Sequence, residues 1–270
     1  EKRLVTIGLE FEDVSSTVSA APTITSPKPD AHKYNRGLLA IVAGAMPGAP
    51  LLAAEAAMRA GAGYVKLFSD HSHPDAPAEL VIEQGSLADV LSDERVSALL
   101  IGPGLGRDDA ARGRLAKVLE SGKPPVLDAD ALNLLACQSA MPELGADTVI
   151  TPHPAEAARL LRCSTAEVQD DRLAALQQLI EPLGCHAVLK GVGSLVGSPA
   201  RFEMLPAVCA AGNPGMAVGG MGDVLSGLLG ALLAQRVPAG QAARYAVLVH
   251  ALAGDLLAGE LGEVGMRAGE

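Results

Sequence analysis

The sequence predicts an α/β fold in which a mostly parallel central sheet carries helices on both faces. Three observations lead there. Short apolar runs, such as residues 38–43 and 98–101, alternate with longer Ala- and Leu-rich segments of helical composition. Glycine or proline stands at many of the junctions, where connections must turn. Over 270 residues, 49% hydrophobic against 19% charged positions supply a sizeable core, packed with Ala and Leu because aromatics make up only 2%.

The elements follow in order. Residues 1–32 read as a leader, with a Ser-, Thr- and Pro-rich stretch at 15–29 that favours an extended linker. Residues 33–270 then form one domain without a further boundary. Leu38–Ala43 is a buried-strand run closed by Gly44, and Leu51–Ala60 a helix with Gly61 where a C-cap glycine would sit. Tyr64–Ser69 and Ala98–Ile101 are the next strands. Asp109–Glu120 is a helix, and Pro125–Leu127 a strand running into Asp128. Val149–Thr151 follows as a strand, then Pro154–Leu161 and Ala166–Leu183 as helices. His186–Lys190, Ser194–Val196 and Phe202–Leu205 read as three shorter strands, and Gly222–Gln235 and Pro238–Leu261 as closing helices. In such a sheet, ligands gather in the loops beyond the strand C-termini.

Charge and cysteine usage narrow the function. A net charge of −10 argues against nucleic acid as a partner, yet not against a nucleotide, whose phosphates backbone N–H groups can hold. The best apolar run, 224–234, is too short to span a bilayer. The N-terminal stretch lacks the apolar core of a secretory signal. Cys137, Cys163, Cys185 and Cys209 form no C-x-x-C pair, so free thiols in a reducing cytoplasm are expected.

The strongest chemical signal is the segment from Asn213 to Asp223, in which Gly215, Gly219, Gly220 and Gly222 precede an apolar helix. Glycines let amides approach an anion, and the helix adds unpaired N–H groups and the positive end of its dipole. Asp223, in the first turn, is either a favourable helix-start acid or a base that accepts a proton from a substrate hydroxyl. Lys190-Gly191-Val192-Gly193-Ser194 reads as a second phosphate turn or as a plain hairpin turn. His153, between two prolines at a strand end, either faces substrate or caps the helix with Glu156. Asp128 and Asp130 end a strand, where acids often hold Mg²⁺ through water. His71 and His73, beside Asp70 and Asp75, read as an exposed Pro-rich loop whose spacing matches no structural zinc pattern.

Taken together, six segments resemble the NAD(P)H-hydrate dehydratase family, the carbohydrate-kinase-like module often fused behind an epimerase domain. They are MPGAPLLAAEAAMRAGAG (46–63), IGPGLGRD (101–108), PVLDADALNLL (125–135), TPHPAEAARLL (151–161), VLKGVGSLV (188–196) and GNPGMAVGGMGDVLSG (212–227). The resemblance implies a ribokinase-like fold and a metabolite-repair reaction. A hydrated nicotinamide, NADHX or NADPHX, is phosphorylated on its hydroxyl by ADP or ATP with Mg²⁺, and phosphate then leaves to restore the reduced ring. It further implies a cytoplasmic homotetramer and a fused or partner epimerase.

Carried over by motif, Asp223 is the implied base and a hydrate contact. Gly48, Ala49, Pro50, Gly104 and His153 are implied at the hydrate. Lys190, Gly191, Val192, Gly193, Ser194, Asn213, Gly219, Gly220 and Gly222 are implied at the nucleotide and its phosphates. Three departures stand out: Pro50 replaces the second alanine of P-G-A-A, Ala155 the glycine of H-P-G-E, and Met221 the Ser or Thr before G-D. Two other readings compete. One is a kinase for a small hydroxylated metabolite on the same fold, betrayed by a stable phosphorylated product. The other is a nucleotide-binding module without catalysis, against which the retained Asp223 speaks.

Overall fold

The computed structural model describes residues 16–20 and 29–270; the rest of the leader expected at 1–32 lies outside the described residues. Along the chain run β1 (Thr17–Val18), β2 (Leu38–Val42), α1 (Gly48–Arg59), β3 (Tyr64–Phe68), β4 (Val81–Glu83), α2 (Leu87–Ser92), β5 (Val96–Ile101) and α3 (Asp109–Glu120). They continue with β6 (Pro125–Leu127), α4 (Ala129–Ala136), β7 (Val149–Ile150), α5 (Pro154–Leu161), α6 (Thr165–Asp170) and α7 (Arg172–Leu183). β8 (His186–Leu189), β9 (Leu195–Gly197), β10 (Ala207–Val208), α8 (Met221–Ala234) and α9 (Ala239–Leu261) complete the set.

The strands form one sheet in the order β1-β10-β9-β8-β7-β6-β5-β2-β3-β4. From β8 to β4 every pairing is parallel, while β8–β9 and β9–β10 are antiparallel. The expected mostly parallel sheet is therefore present. Its central strands are buried on both faces, and side-chain alternation divides them between two cores. Leu38, Ala40 and Val42 of β2 point to one core with side chains of α2 through α7, whereas Leu39 and Ile41 point to the other with α1, α8 and α9. The second core is tight because it is built of small residues: a Cβ on Gly227 of α8 would fall 2.1 Å from the Ala53 carbonyl oxygen of α1.

Three expectations are corrected. The single helix at 166–183 is two, because Asp171 adopts an extended-like conformation (φ −136°, ψ 85°) and its side chain caps α7 at the Ala174 N–H. The strand expected at Phe202–Leu205 does not form. Residues 200–202 make a 3₁₀ turn, Glu203 is left-handed at φ 51°, and the strand starts at Ala207, after Pro206, which has no N–H to give a ladder. The loop around His71 is not exposed throughout: His73 is buried with Nε2 2.7 Å from the Ser69 Oγ, and Asp70 pairs with Arg114. Within the leader, Thr17 and Val18 add a short strand at the sheet edge, parallel to Ala207 and Val208.

Candidate active site

The parallel strands deliver the chemical residues to one edge. Beyond β6 comes Asp128, beyond β7 the Thr151–Pro154 turn, beyond β8 Lys190, and beyond β5 the turn at 102–106. Two backbone bonds lock this edge: the Asp128 N–H donates to the Ile101 oxygen at 3.2 Å, and the Lys190 N–H to the Pro152 oxygen at 2.9 Å.

The turn after β5 and the turn before α1 are one unit. The N–H groups of Ala45 and Met46 donate to the oxygens of Leu105 and Gly104 at 3.2 and 2.9 Å. Gly104 is left-handed at φ 62°, and a Cβ there would sit 2.3 Å from the Met46 oxygen, so glycine is required. A Cβ on Gly104 would also lie 3.3 Å from the Ala49 Cβ, so Gly104 abuts Ala49 in the first turn of α1, between Gly48 and Pro50. Pro50 fits because first-turn N–H groups have no acceptor within the helix, although it leaves one fewer donor for a ligand. Asp130 braces the same wall, accepting from the Gly106 N–H at 3.0 Å and the Arg107 Nε at 2.7 Å.

His153 is the N-cap of α5. Its Nδ1 accepts from the Ala155 and Glu156 N–H groups, and Glu156 Oε2 accepts from the His153 N–H at 2.8 Å. The capping role is the one the geometry makes: Nδ1 is taken by the cap, and Nε2 lies 3.4 Å from Glu156 Oε1. Burial, with Lys190 and Arg159, holds the imidazole below its usual pKa, so the neutral ring keeps its proton on Nε2. Ala155 keeps the backbone donor that glycine would have offered.

Lys190 sits at the centre. Its Nζ lies 2.8 Å from Asp128 Oδ1 and 3.9 Å from Glu156 Oε2. Burial disfavours the ammonium, yet Asp128, Glu156 and Asp223 outweigh it and raise the Lys190 pKa. One cation thus faces three acids. Burial and then the Asp128 charge push the Asp223 carboxyl up to about 7, against the pull of Lys190. Burial likewise raises Glu156.

The glycine segment closes the site, and its glycines divide by task. Gly220 is left-handed (φ 93°) and starts α8 without a side-chain cap, leaving the first amides of the helix unpaired. Gly215 is needed for space, since a Cβ there would fall 2.5 Å from Met266 Sδ and 2.6 Å from the Glu263 oxygen. Around Gly219 the space is open, and a Cβ on Gly222 would lie 3.3 Å from Lys190 Nζ, so the helix start faces the acid–lysine cluster. Asn213 is committed elsewhere: its Oδ1 accepts from the Gly215 N–H and its Nδ2 donates to Asp255. The structure thus gathers Lys190, Gly222, Asp223 and Glu156, with His153 capping the adjoining helix, sets Gly104 against Ala49, and links Asn213 to Asp255. Residue spacing gave no sign that Asp128 pairs with Lys190. It gave none either that Arg172 bonds the Lys190–Gly193 turn, through Nη1 and Nη2 to the Leu189, Lys190, Val192 and Gly193 oxygens.

The fold is of the ribokinase-like α/β class. A family model described as NAD(P)H-hydrate dehydratase matches residues 39–270. The chain belongs to that family. It is 41% identical over 254 residues to the ADP-dependent (S)-NAD(P)H-hydrate dehydratase of Neisseria meningitidis, covering 89% of this chain and 84% of the relative. It is 45% identical over 247 residues to a bifunctional NAD(P)H-hydrate repair enzyme of Coxiella burnetii, covering 88% of this chain but 49% of the relative. The chain therefore spans about half the length of that bifunctional relative. The ADP/ATP-dependent NAD(P)H-hydrate dehydratase of Bacillus subtilis, co-crystallised with ATP/Mg²⁺, superposes with a TM-score of 0.79 at 27% identity, covering 91% of this chain and 90% of that one.

Proposed function

We propose that residues 33–270 carry out the nucleotide-dependent dehydration of NADHX and NADPHX. The observation that carries the proposal is Asp223, a carboxyl poised near neutral pH in the first turn of a helix whose start is glycine-lined and uncapped. The glycine-led amides take the phosphates of ADP or ATP, and Asp223 takes the proton from the hydrate hydroxyl as its oxygen attacks the terminal phosphorus. Phosphate then leaves with the C–O electron pair, the ring nitrogen supplies electrons, and a ring proton is lost. The products are reduced nicotinamide, phosphate and AMP from ADP, or ADP from ATP.

Gly48, Ala49, Pro50, Gly104 and His153 form the hydrate wall in this reading. Lys190–Ser194, Gly219, Gly220 and Gly222 face the nucleotide, with Asn213 shaping the loop. Among the described residues no group of three His, Cys, Asp or Glu side chains is placed to cage a metal ion. Asp128, a hard oxygen donor, would instead hold a Mg²⁺ that comes with the nucleotide, which would offset phosphate charge.

The test is incubation with NADHX and either nucleotide while following the absorbance of reduced nicotinamide. Because the base must be unprotonated, turnover should rise with pH through an inflection near 7, set by Asp223. A stable phosphorylated product without reduced nicotinamide would support the kinase reading, and a pH-independent rate would remove Asp223 as the base.

We also propose a cytoplasmic homotetramer working with an epimerase, fused or separate. Support comes from the length of the bifunctional relative, from four free cysteines, and from apolar surface on α9. Leu252, Leu256 and Leu261 are 42, 72 and 56% exposed, beside an apolar groove of about 520 Å³ between α1, α8 and α9. Light scattering should give four times the chain mass of 27.4 kDa at micromolar concentration. A monomer mass would refute the assembly and leave the reaction untouched.

A further inference from the structure

We infer that Arg172 is a positioning residue for the nucleotide turn, holding the carbonyls of Leu189, Lys190, Val192 and Gly193 on one side so that the amides of Gly193 and Ser194 are presented on the other. The inference rests on the nucleotide reading of Lys190–Ser194.

The geometry starts in a helix break. Asp171 ends one helix and caps the next, which makes Arg172 the first residue of α7 and aims its side chain at the end of β8. Nη2 donates to the Leu189 and Lys190 oxygens at 3.1 and 3.3 Å, and Nη1 to the Gly193 oxygen at 3.2 Å and to the Val192 oxygen. Four carbonyls of a five-residue stretch are thus turned toward one guanidinium. In a planar trans peptide the next N–H points the opposite way. Two of these N–H groups are used inside the fold, Lys190 to Pro152 and Gly191 to the Ser194 hydroxyl. Those of Gly193 and Ser194 have no acceptor among the described residues, which leaves them for a ligand.

The charge is in keeping. Among the described residues no carboxylate lies within ion-pairing distance of Arg172, in contrast to Lys190 with its two acids. Its positive charge is therefore uncompensated directly behind the turn, where it favours an anion on the amide side. Gly191 is part of the fit: it is left-handed (φ 140°), and a Cβ there would lie 3.1 Å from Arg172 Nη2. Lysine could not substitute, because it offers one nitrogen where the planar fork reaches four oxygens.

The experiment measures ADP binding by calorimetry, and KM for each substrate and kcat, in wild type, Arg172→Lys and Arg172→Met, with melting curves to establish folding. Arg172→Met should weaken ADP binding by about tenfold or more, equivalent to about 1.4 kcal/mol. KM for the hydrate and kcat at saturating ADP should stay within about twofold of wild type, a split that general loss of structure would not give. Arg172→Lys should fall between the two in ADP affinity. Wild-type ADP affinity in folded Arg172→Met, or a parallel fall in kcat and in both substrate affinities, would overturn the inference. Should Arg172→Met not fold, wild-type affinity in Arg172→Lys would overturn it equally. If the wild-type protein itself binds neither ADP nor ATP, the nucleotide reading of the turn fails and takes the inference with it.

Discussion

Replacing Asp223 by Asn should abolish most turnover while leaving the protein folded and able to bind nucleotide. The amide is nearly the same size as the carboxyl but cannot accept the hydroxyl proton, and general-base contributions are about 10²–10⁴-fold. A second consequence separates this loss from damage to the fold. The Asp223 pKa is raised in the folded state to about 7 from an ordinary carboxylate value, chiefly by burial. The folded protein therefore binds a proton more tightly than the unfolded chain over that interval. By linkage, stability is fully present below the ordinary value and is lost as pH rises toward 7. Asn carries no such cost, so Asp223→Asn should melt above wild type at pH 8 and approach it in acid. An inactive variant that melts lower at pH 8 would show that the carboxylate has a structural task instead. Near-normal turnover would remove it from the chemistry.

Replacing Lys190 by Met should be the most damaging single change to stability. The ammonium is 18% exposed, its partners Asp128 and Glu156 only 2% and 5%, and the substitution leaves both acids buried without a cation. Removing one member of a buried pair costs about 3–5 kcal/mol. The pH dependence follows from the same cause. Without Lys190 the Glu156 carboxyl, already raised by burial, loses the charge that pulls it down and titrates higher in the folded state, so the loss is greatest above neutrality and shrinks as pH falls and Glu156 protonates. Denaturant unfolding at two pH values measures it, and a loss that is small or grows in acid would contradict the role assigned to the pair. The Lys190 charge is in this account already neutralised by the protein. That agrees with the expectation that backbone N–H groups can hold a nucleotide's phosphates in a chain of net charge −10.

Much of the fold could be read from the chain because local rules agreed with the tertiary outcome. The helices expected at 109–120 and 154–161 match α3 and α5, where Asp108 caps the first and a proline takes the first position of the second. The buried run 38–43, read as a strand, forms β2 in the middle of the sheet. Where local signals were weak or misleading, the reading failed. Helix α4 was missed, since it begins at Ala129 in a left-handed conformation (φ 45°) that no alanine announces. The 166–183 segment has helical composition throughout, and only the conformation of Asp171 divides it. At 202–205 an apolar pattern imitated a strand that the backbone does not make.

The candidate site shows the same division. The amino-acid sequence by itself marked out the candidate loops, because glycine-rich turns, an acid at a helix start and a proline-framed histidine are local devices written in consecutive residues. The tertiary structure alone decided what those devices do to one another. Asp128 and Lys190 are 62 positions apart, and only the parallel order of β6, β7 and β8 brings them within 2.8 Å. Only burial beside that pair moves Asp223 to a pKa near neutrality, and only the packing of α7 against β8 puts Arg172 behind the turn at 190–193. Charge coupling and desolvation depend on distance and on the exclusion of water, and both arise when the chain has folded.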